Sequence, residues 1–165
     1  MVQIYTGEGK GKTTAAAGVA LRSLAAGKRV AFFQFMKAWP SGEVQMLQRL
    51  GALVDRSWDG SFIYDAPTPK QLRLVRDQYE RVFKLYEKGF DLVILDEILV
   101  TIHFSILDEE EILRLIEARP KECELILTGR GATPALIAAA DLVTEMKKIK
   151  HYFDRGVSAR RGIEY

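Results

Sequence analysis

The segment Thr6-Gly7-Glu8-Gly9-Lys10-Gly11-Lys12-Thr13-Thr14 limits what this chain can fold into more than any other. It follows a short apolar stretch, residues 2–5, and opens straight into an alanine-rich segment, residues 12–26, with Gly27 as a stop. Strand, glycine-rich turn, Lys-Thr and helix is the context that gives a Walker A phosphate loop its physical meaning. Glycines let backbone N–H groups converge on phosphate oxygens, and the helix N-terminus adds a fixed positive partial charge. Lys12 supplies a mobile cation and Thr13 a hydroxyl for Mg²⁺. The usual spacing sets a glycine where Thr6 stands, so the loop is one residue short, and Lys10 adds a second cation inside it. A glycine-rich turn with incidental lysines would explain the glycines, but not their coincidence with Lys12, Thr13 and these flanks.

Apolar runs alternate with helical patterns along the rest of the chain. Strands are expected over 30–35, 52–55, 92–95, 125–127 and 143–146. Helices are expected over 43–50, from Thr68-Pro69 to about Lys88, from Asp108 to about Arg119, and from Thr133-Pro134 to about Ala140. Fully apolar strands between helices mean a mainly parallel sheet covered on both faces, here an α/β fold of about six strands. Such sheets bind ligands beyond the carboxyl ends of their strands. Residues 1–165 read as one domain, since a second would be starved of core.

The strand over 92–95 ends in Asp96-Glu97, a Walker B pattern that can hold a Mg²⁺ shell directly or through water. Thr128-Gly129-Arg130-Gly131 follows another apolar strand. Arg130 could reach phosphate with its guanidinium fork, and a surface arginine in a turn is equally consistent with the sequence. His103 and His151 have no cysteine or second histidine at ligand spacing and read as structural. Tyr79, Phe83 and Tyr86 recur at helical spacing and read as core. The 24 basic and 22 acidic residues nearly cancel, and the cluster Lys147, Lys148 and Lys150 is too short for a nucleic-acid stripe. One cysteine, Cys123, suits a reducing compartment. No apolar run approaches the ~20 residues of a membrane span, and the N-terminus has neither the basic start nor the cleavage site of a signal peptide. A soluble cytoplasmic protein that binds neither nucleic acid nor membrane is expected.

The ordered set GEGKGKTT, Gln34-Phe35-Met36-Lys37, Trp39-Pro40-Ser41-Gly42-Glu43, Asp96-Glu97, Thr128 to Gly131, and Lys150-His151 through Gly162-Ile163-Glu164-Tyr165 resembles one family over nearly the whole chain. It is similar to the P-loop type of ATP:cob(I)alamin, or cob(I)yrinic acid a,c-diamide, adenosyltransferase. The resemblance implies a RecA-like P-loop NTPase fold, a homodimer, and MgATP lying across the loop in the reverse of the usual direction. It implies that the loop residues Gly7, Glu8, Gly9, Lys10, Gly11, Lys12, Thr13 and Thr14 bind the nucleotide. Thr13 and Glu97 would face Mg²⁺, with Asp96 beside or behind them; Lys12, Thr13 and Glu97 would form the catalytic set. Arg22 and Arg130 are implied as further nucleotide contacts, and Phe62 and Tyr64 as the aromatic pair that helps exclude the lower ligand of cobalt. An exposed aromatic loop, Trp58 to Tyr64, is the candidate for the corrinoid side. The family also implies an electron-donating reductase, such as a flavoprotein.

Departures from the family pattern fall at Ala38, Tyr64, Tyr152 and Arg160, where glycine, tryptophan, proline and glutamine are common. Met1 already begins the first strand, so closure over the corrinoid is expected from elements other than the N-terminal segment of some members. The residues alone also admit a P-loop ATPase or small-molecule kinase cleaving at the γ-phosphate, and a non-enzymatic RecA-like nucleotide switch. Neither accounts for the Gln-Phe-x-Lys segment and the tail.

Overall fold

The computed structural model describes residues 1–38 and 41–165; Trp39 and Pro40, from the Trp-Pro-Ser-Gly-Glu segment, lie outside the described residues. The chain runs β1 (Val2–Thr6), α1 (Lys12–Ala25), β2 (Val30–Gln34), α2 (Gly42–Arg49), β3 (Leu53–Asp55), α3 (Pro69–Tyr86), β4 (Leu92–Asp96), α4 (Val100–His103), α5 (Glu109–Ala118), β5 (Glu124–Thr128), α6 (Pro134–Ala139) and β6 (Leu142–Glu145). A single 3₁₀ turn, Tyr152–Arg155, follows.

Six strands form one sheet in the order β3-β2-β4-β5-β1-β6, and every pairing among them is parallel. The central strands are buried on both sides, which is why they read as unbroken apolar runs. Their side chains alternate between two cores. Ala31, Phe33, Val93, Leu95, Leu125 and Leu127 meet Val75, Tyr79 and Val82 of α3 and Ile112 and Leu115 of α5. Val30, Phe32, Leu92, Ile94 and Ile126 meet Ala16 and Ala20 of α1 and Val44 and Leu47 of α2. Ala16 and Ala20 are fully buried, and their small side chains let α1 lie close on the sheet beside the phosphate loop.

The two longest helices packed on the first core start where the sequence signals. Thr68 accepts from the Gln71 amide while the Gln71 side chain accepts from the Thr68 amide, with Pro69 at the first helical position. Asp108 and Glu111 make the same reciprocal pair at the start of α5. Tyr79 and Tyr86 are core residues, with hydroxyls donating to the carbonyls of Glu111 and Leu115.

Element ends agree with expectation to within a residue or two, and two short elements are additional. α4 follows directly on the β4 carboxylates, and the 3₁₀ turn lies in the tail. β6 is exposed at all four positions and is held by backbone pairing with Gln3 through Thr6. The parallel arrangement brings the carboxyl ends of β1, β2, β4 and β5 to one edge of the sheet, and the chemistry-bearing loops follow those ends.

Candidate active site

The phosphate loop presses against the chain leaving β6. The Gly9 amide donates to the Met146 carbonyl at 2.6 Å, and a Cβ added at Gly9 would stand 2.6 Å from that same oxygen. Gly7 has φ +98°, and a Cβ there would meet the Met146 carbonyl equally closely. No larger residue fits at either position without moving the backbone. Lys12 is 8% exposed, and its ammonium donates to the carbonyls of Gly7 at 2.7 Å and Gly9 at 2.9 Å. Burial pulls its pKa below the ordinary lysine value.

Asp96 is completely buried. Its Oδ1 accepts from the Thr128 hydroxyl at 2.7 Å; its Oδ2 accepts from Gln34 Nε2 at 3.0 Å and Lys37 Nζ at 3.2 Å. The same Thr128 hydroxyl accepts from the Glu97 amide at 2.9 Å. β5 thereby clamps the end of β4. Glu97 has φ +63°, uncommon for a residue with a side chain, and its carboxylate lies 3.2 Å from Lys37 Nζ. Lys37 also donates to Thr13 Oγ1 at 3.0 Å. One ammonium thus joins the helix that follows the phosphate loop to both carboxylates. Burial works against its charge, but Asp96 and Glu97 outweigh that and raise its pKa.

Lys10 points the other way, into the tail. Its ammonium donates to Glu164 Oε1 at 2.8 Å, the Tyr152 hydroxyl at 2.9 Å and the Ile163 carbonyl at 3.2 Å. Tyr152 also donates to Glu164, and Arg160 completes the cluster from 3.2 Å. Bonds from Arg160, Lys10 and Tyr152 hold the Glu164 carboxyl well below the usual carboxylate range. His151 caps the 3₁₀ turn, its Nδ1 accepting from the Phe153 amide at 3.0 Å.

These groups surround a cavity of about 590 Å³. The phosphate loop from Glu8 to Thr14 forms its floor, with Lys37, Glu97, Arg130, His151 and the tail residues 162–165 as walls. Arg130 stands at the mouth, 3.1 Å from Glu8, with both side chains exposed. A second cavity of about 240 Å³ is mostly apolar, lined by Phe35, Trp58, Phe62, Val100 and Phe104 among others. Lys37 and Glu97 line both cavities and form the wall between them.

Of the residues singled out in the sequence, Lys12, Thr13, Thr14, Glu97 and Arg130 line this one cavity. Asp96 sits behind them, spent on internal hydrogen bonds. Arg22 does not join them: it is exposed in the last turn of α1, while the cavity follows that helix only as far as Ala17. Phe62 lines the second cavity; Tyr64 is 85% exposed, with its ring 6.2 Å from that of Phe62. The expectation of an exposed loop from Trp58 onward needs correction. Trp58 is buried and donates from Nε1 to the Ser61 carbonyl at 2.8 Å, anchoring the loop from below. Lys37, His151 and the last four residues were absent from the sequence-based site. Lys37 carried a usable signal, being a lysine just beyond the carboxyl end of a buried strand.

A parallel sheet with a Walker A loop on β1 and an Asp-Glu pair on β4, one strand removed across β5, defines a P-loop nucleotide-binding protein. The RadB recombinase structure shares this fold, with a TM-score of 0.56 and 18% identity over 91% of this chain and 75% of that one. The family model for ATP:corrinoid adenosyltransferase BtuR/CobO/CobP matches residues 1–165. The corrinoid adenosyltransferase of Escherichia coli K12 is 35% identical over 168 residues, spanning 100% of this chain and 85% of that protein. The corrinoid adenosyltransferase CobA of Salmonella typhimurium LT2 is 35% identical over 170 residues, with the same coverage. The chain belongs to the ATP:corrinoid adenosyltransferase family and is an enzyme of that class.

Proposed function

We propose that this enzyme transfers the 5′-deoxyadenosyl group of ATP to the Co(I) centre of a reduced corrinoid, either cobalamin or cobyrinic acid a,c-diamide, and releases triphosphate. The observation that carries this reading is the pair of cavities meeting at Lys37 and Glu97. The larger offers phosphate-binding groups and the smaller an apolar wall, so a polyphosphate and a macrocycle can be held on either side of one reacting bond.

In this reaction the Co(I) lone pair forms a bond to the ribose 5′ carbon, and the bond from that carbon to the triphosphate oxygen breaks. Both bonding electrons leave with the triphosphate. No proton has to be removed, so the site needs no general base. The protein must align the reacting atoms and stabilise charge on the leaving group. The loop N–H groups, Lys12 and Arg130 suit the second task. Lys10 joins them once triphosphate draws it from Glu164. Phe62 and the apolar cavity suit the first, with the exposed Tyr64 ring, tilted against Phe62, as a further aromatic surface.

The residues present fit a bound Mg²⁺. Thr13 Oγ1, Asp96 Oδ2 and Glu97 Oε1 already converge on one positive group, the Lys37 ammonium, at 3.0–3.2 Å. No group of three or more His, Cys, Asp or Glu residues among the described residues is placed to hold a metal ion by itself, and an ion here would be completed by phosphate oxygens and water. Thr13 and Glu97 would hold the ion, with Asp96 orienting them. Mg²⁺ supplies charge neutralisation on the triphosphate when bound.

The reading extends to a single-domain cytoplasmic homodimer served by an electron-donating reductase such as a flavoprotein. No helix among the described residues is long and apolar enough to cross a membrane. The test is anaerobic incubation with MgATP and chemically reduced cob(I)alamin. Light-sensitive adenosylcobalamin with intact triphosphate is the expected outcome; ADP and phosphate with an unchanged corrinoid would overturn it in favour of an ATPase.

A further inference from the structure

Lys37 occupies a position with a chemical consequence. Its ammonium contacts Thr13 Oγ1, Asp96 Oδ2 and Glu97 Oε1, each within 3.2 Å, drawing together groups from α1, β4 and the turn after β4. It reaches them because β2 and β4 are neighbours in the sheet, Gln34 pairing with Asp96. Met36, just before it, has φ +54°, and the backbone bends sharply as it leaves the strand. Two of the three oxygens belong to the residues assigned to Mg²⁺. A divalent ion needs such oxygens at about 2.1 Å, and it cannot share them with an ammonium already seated among them.

We propose that Lys37 is the resident cation of the metal site: it holds Thr13, Asp96 and Glu97 in place before substrate arrives, and a divalent ion entering with the nucleotide displaces it from Thr13 and Glu97. Asp96 keeps its hydrogen bonds from Thr128 and Gln34, so the buried carboxylate stays satisfied while the ammonium moves. Free divalent ions then compete poorly, because they must evict a positive charge without bringing a negative one. The metal–triphosphate complex brings that negative charge with it. The site therefore selects metal-bound nucleotide over free metal. This inference rests on the reading of Thr13 and Glu97 as metal ligands.

The test is titration of the full chain with Mn²⁺ alone, with free Mn²⁺ followed by electron paramagnetic resonance. The wild type is compared with Lys37→Met, Lys37→Gln, and Lys37→Met combined with Glu97→Gln. Each folded single variant is expected to bind Mn²⁺ about tenfold more tightly than the wild type, with the gain lost in the double variant. Melting of Lys37→Met should also fall in metal-free buffer and recover with Mg²⁺ alone, more than the wild type does. Equal Mn²⁺ affinity in the wild type and a folded single variant overturns the proposal. So does a gain that survives Glu97→Gln, because the metal then lies elsewhere. A parallel titration with ATP present separates the two readings. If the wild type takes up no Mn²⁺ even with ATP, the assignment of Thr13 and Glu97 falls and the inference falls with it. If Mn²⁺ binds with ATP and the Lys37 variants show no gain without it, the inference falls alone.

Discussion

At the scale of single residues, Lys12 is held ready by the loop it serves. Its ammonium rests on two loop carbonyls at 2.7 and 2.9 Å, in a partly desolvated place where phosphate oxygens would be stronger partners. Lys12→Ala removes that charge without touching either core cluster. Transfer activity should fall by roughly 10²–10³, the scale of losing one preorganised charge-stabilising donor. Near-normal turnover in a folded Lys12→Ala protein, judged by circular dichroism and melting, would reject the role. Gly9 is constrained by shape instead of charge. A methyl group there would meet the Met146 carbonyl at 2.6 Å, so Gly9→Ala must push the loop away from β6. A stability loss of about 1–3 kcal/mol is expected, together with weaker ATP binding, and calorimetry reads both.

At the scale of elements, the tail is docked on the phosphate loop through Lys10, which donates to Glu164, Tyr152 and the Ile163 carbonyl, with the Glu164 carboxylate at the centre. Glu164 accepts from Lys10, Tyr152 and Arg160, and its pKa is depressed. A carboxyl whose folded pKa lies below its unfolded value contributes stability that is fully present above the unfolded value, near 4.5. That contribution is lost as pH falls through the folded value. Tail docking should therefore be intact at neutral pH and weaken only in acid below 4.5. Glu164→Gln should loosen it at neutral pH, seen as severalfold faster amide exchange over residues 152–165 with core exchange unchanged. Unaltered exchange in that variant would show that backbone contacts hold the tail instead. The α3 cap is a contrasting case: Thr68→Ala should cost about 1 kcal/mol in denaturant melts, because it removes a local signal that the helix uses. Local signals of this kind made α3 and α5 legible in the sequence, as the unbroken LVIL run did for β4. α4 had no such signal. It is four residues with β-branched Val, Thr and Ile, fixed by tertiary contacts such as the Leu99 amide on the Thr128 carbonyl. The position of Lys37 past a buried strand hints at the ligand edge, but its contact with Asp96 depends on sheet order, which sets β2 beside β4 and is not written in either segment.

At the scale of the whole molecule, the parallel sheet gathers four strand ends at one edge, and two cavities of opposite character share a wall there. The polar one is built from the phosphate loop, the first turns of α1 and the C-terminal tail, the apolar one from the segment after β2, the loop anchored by Trp58, and α4. A chain that merely split ATP would have no use for the apolar side. Phe62 tests that division because it is 62% exposed and outside both core clusters, so its loss should change stability by no more than about 0.5 kcal/mol. In the proposed reaction an apolar wall favours four-coordinate Co(II), whose reduction to Co(I) is easier than that of a form keeping its lower ligand. Phe62→Ala should then lose more activity when a reductase must generate Co(I) than when Co(I) is supplied chemically. ATP affinity, governed by the other cavity, should be unchanged. Equal losses in the two assays would leave Phe62 a packing role and remove the redox function from this wall. A loss confined to the reductase-coupled assay would tie the apolar cavity to the electron-transfer step that precedes alkylation.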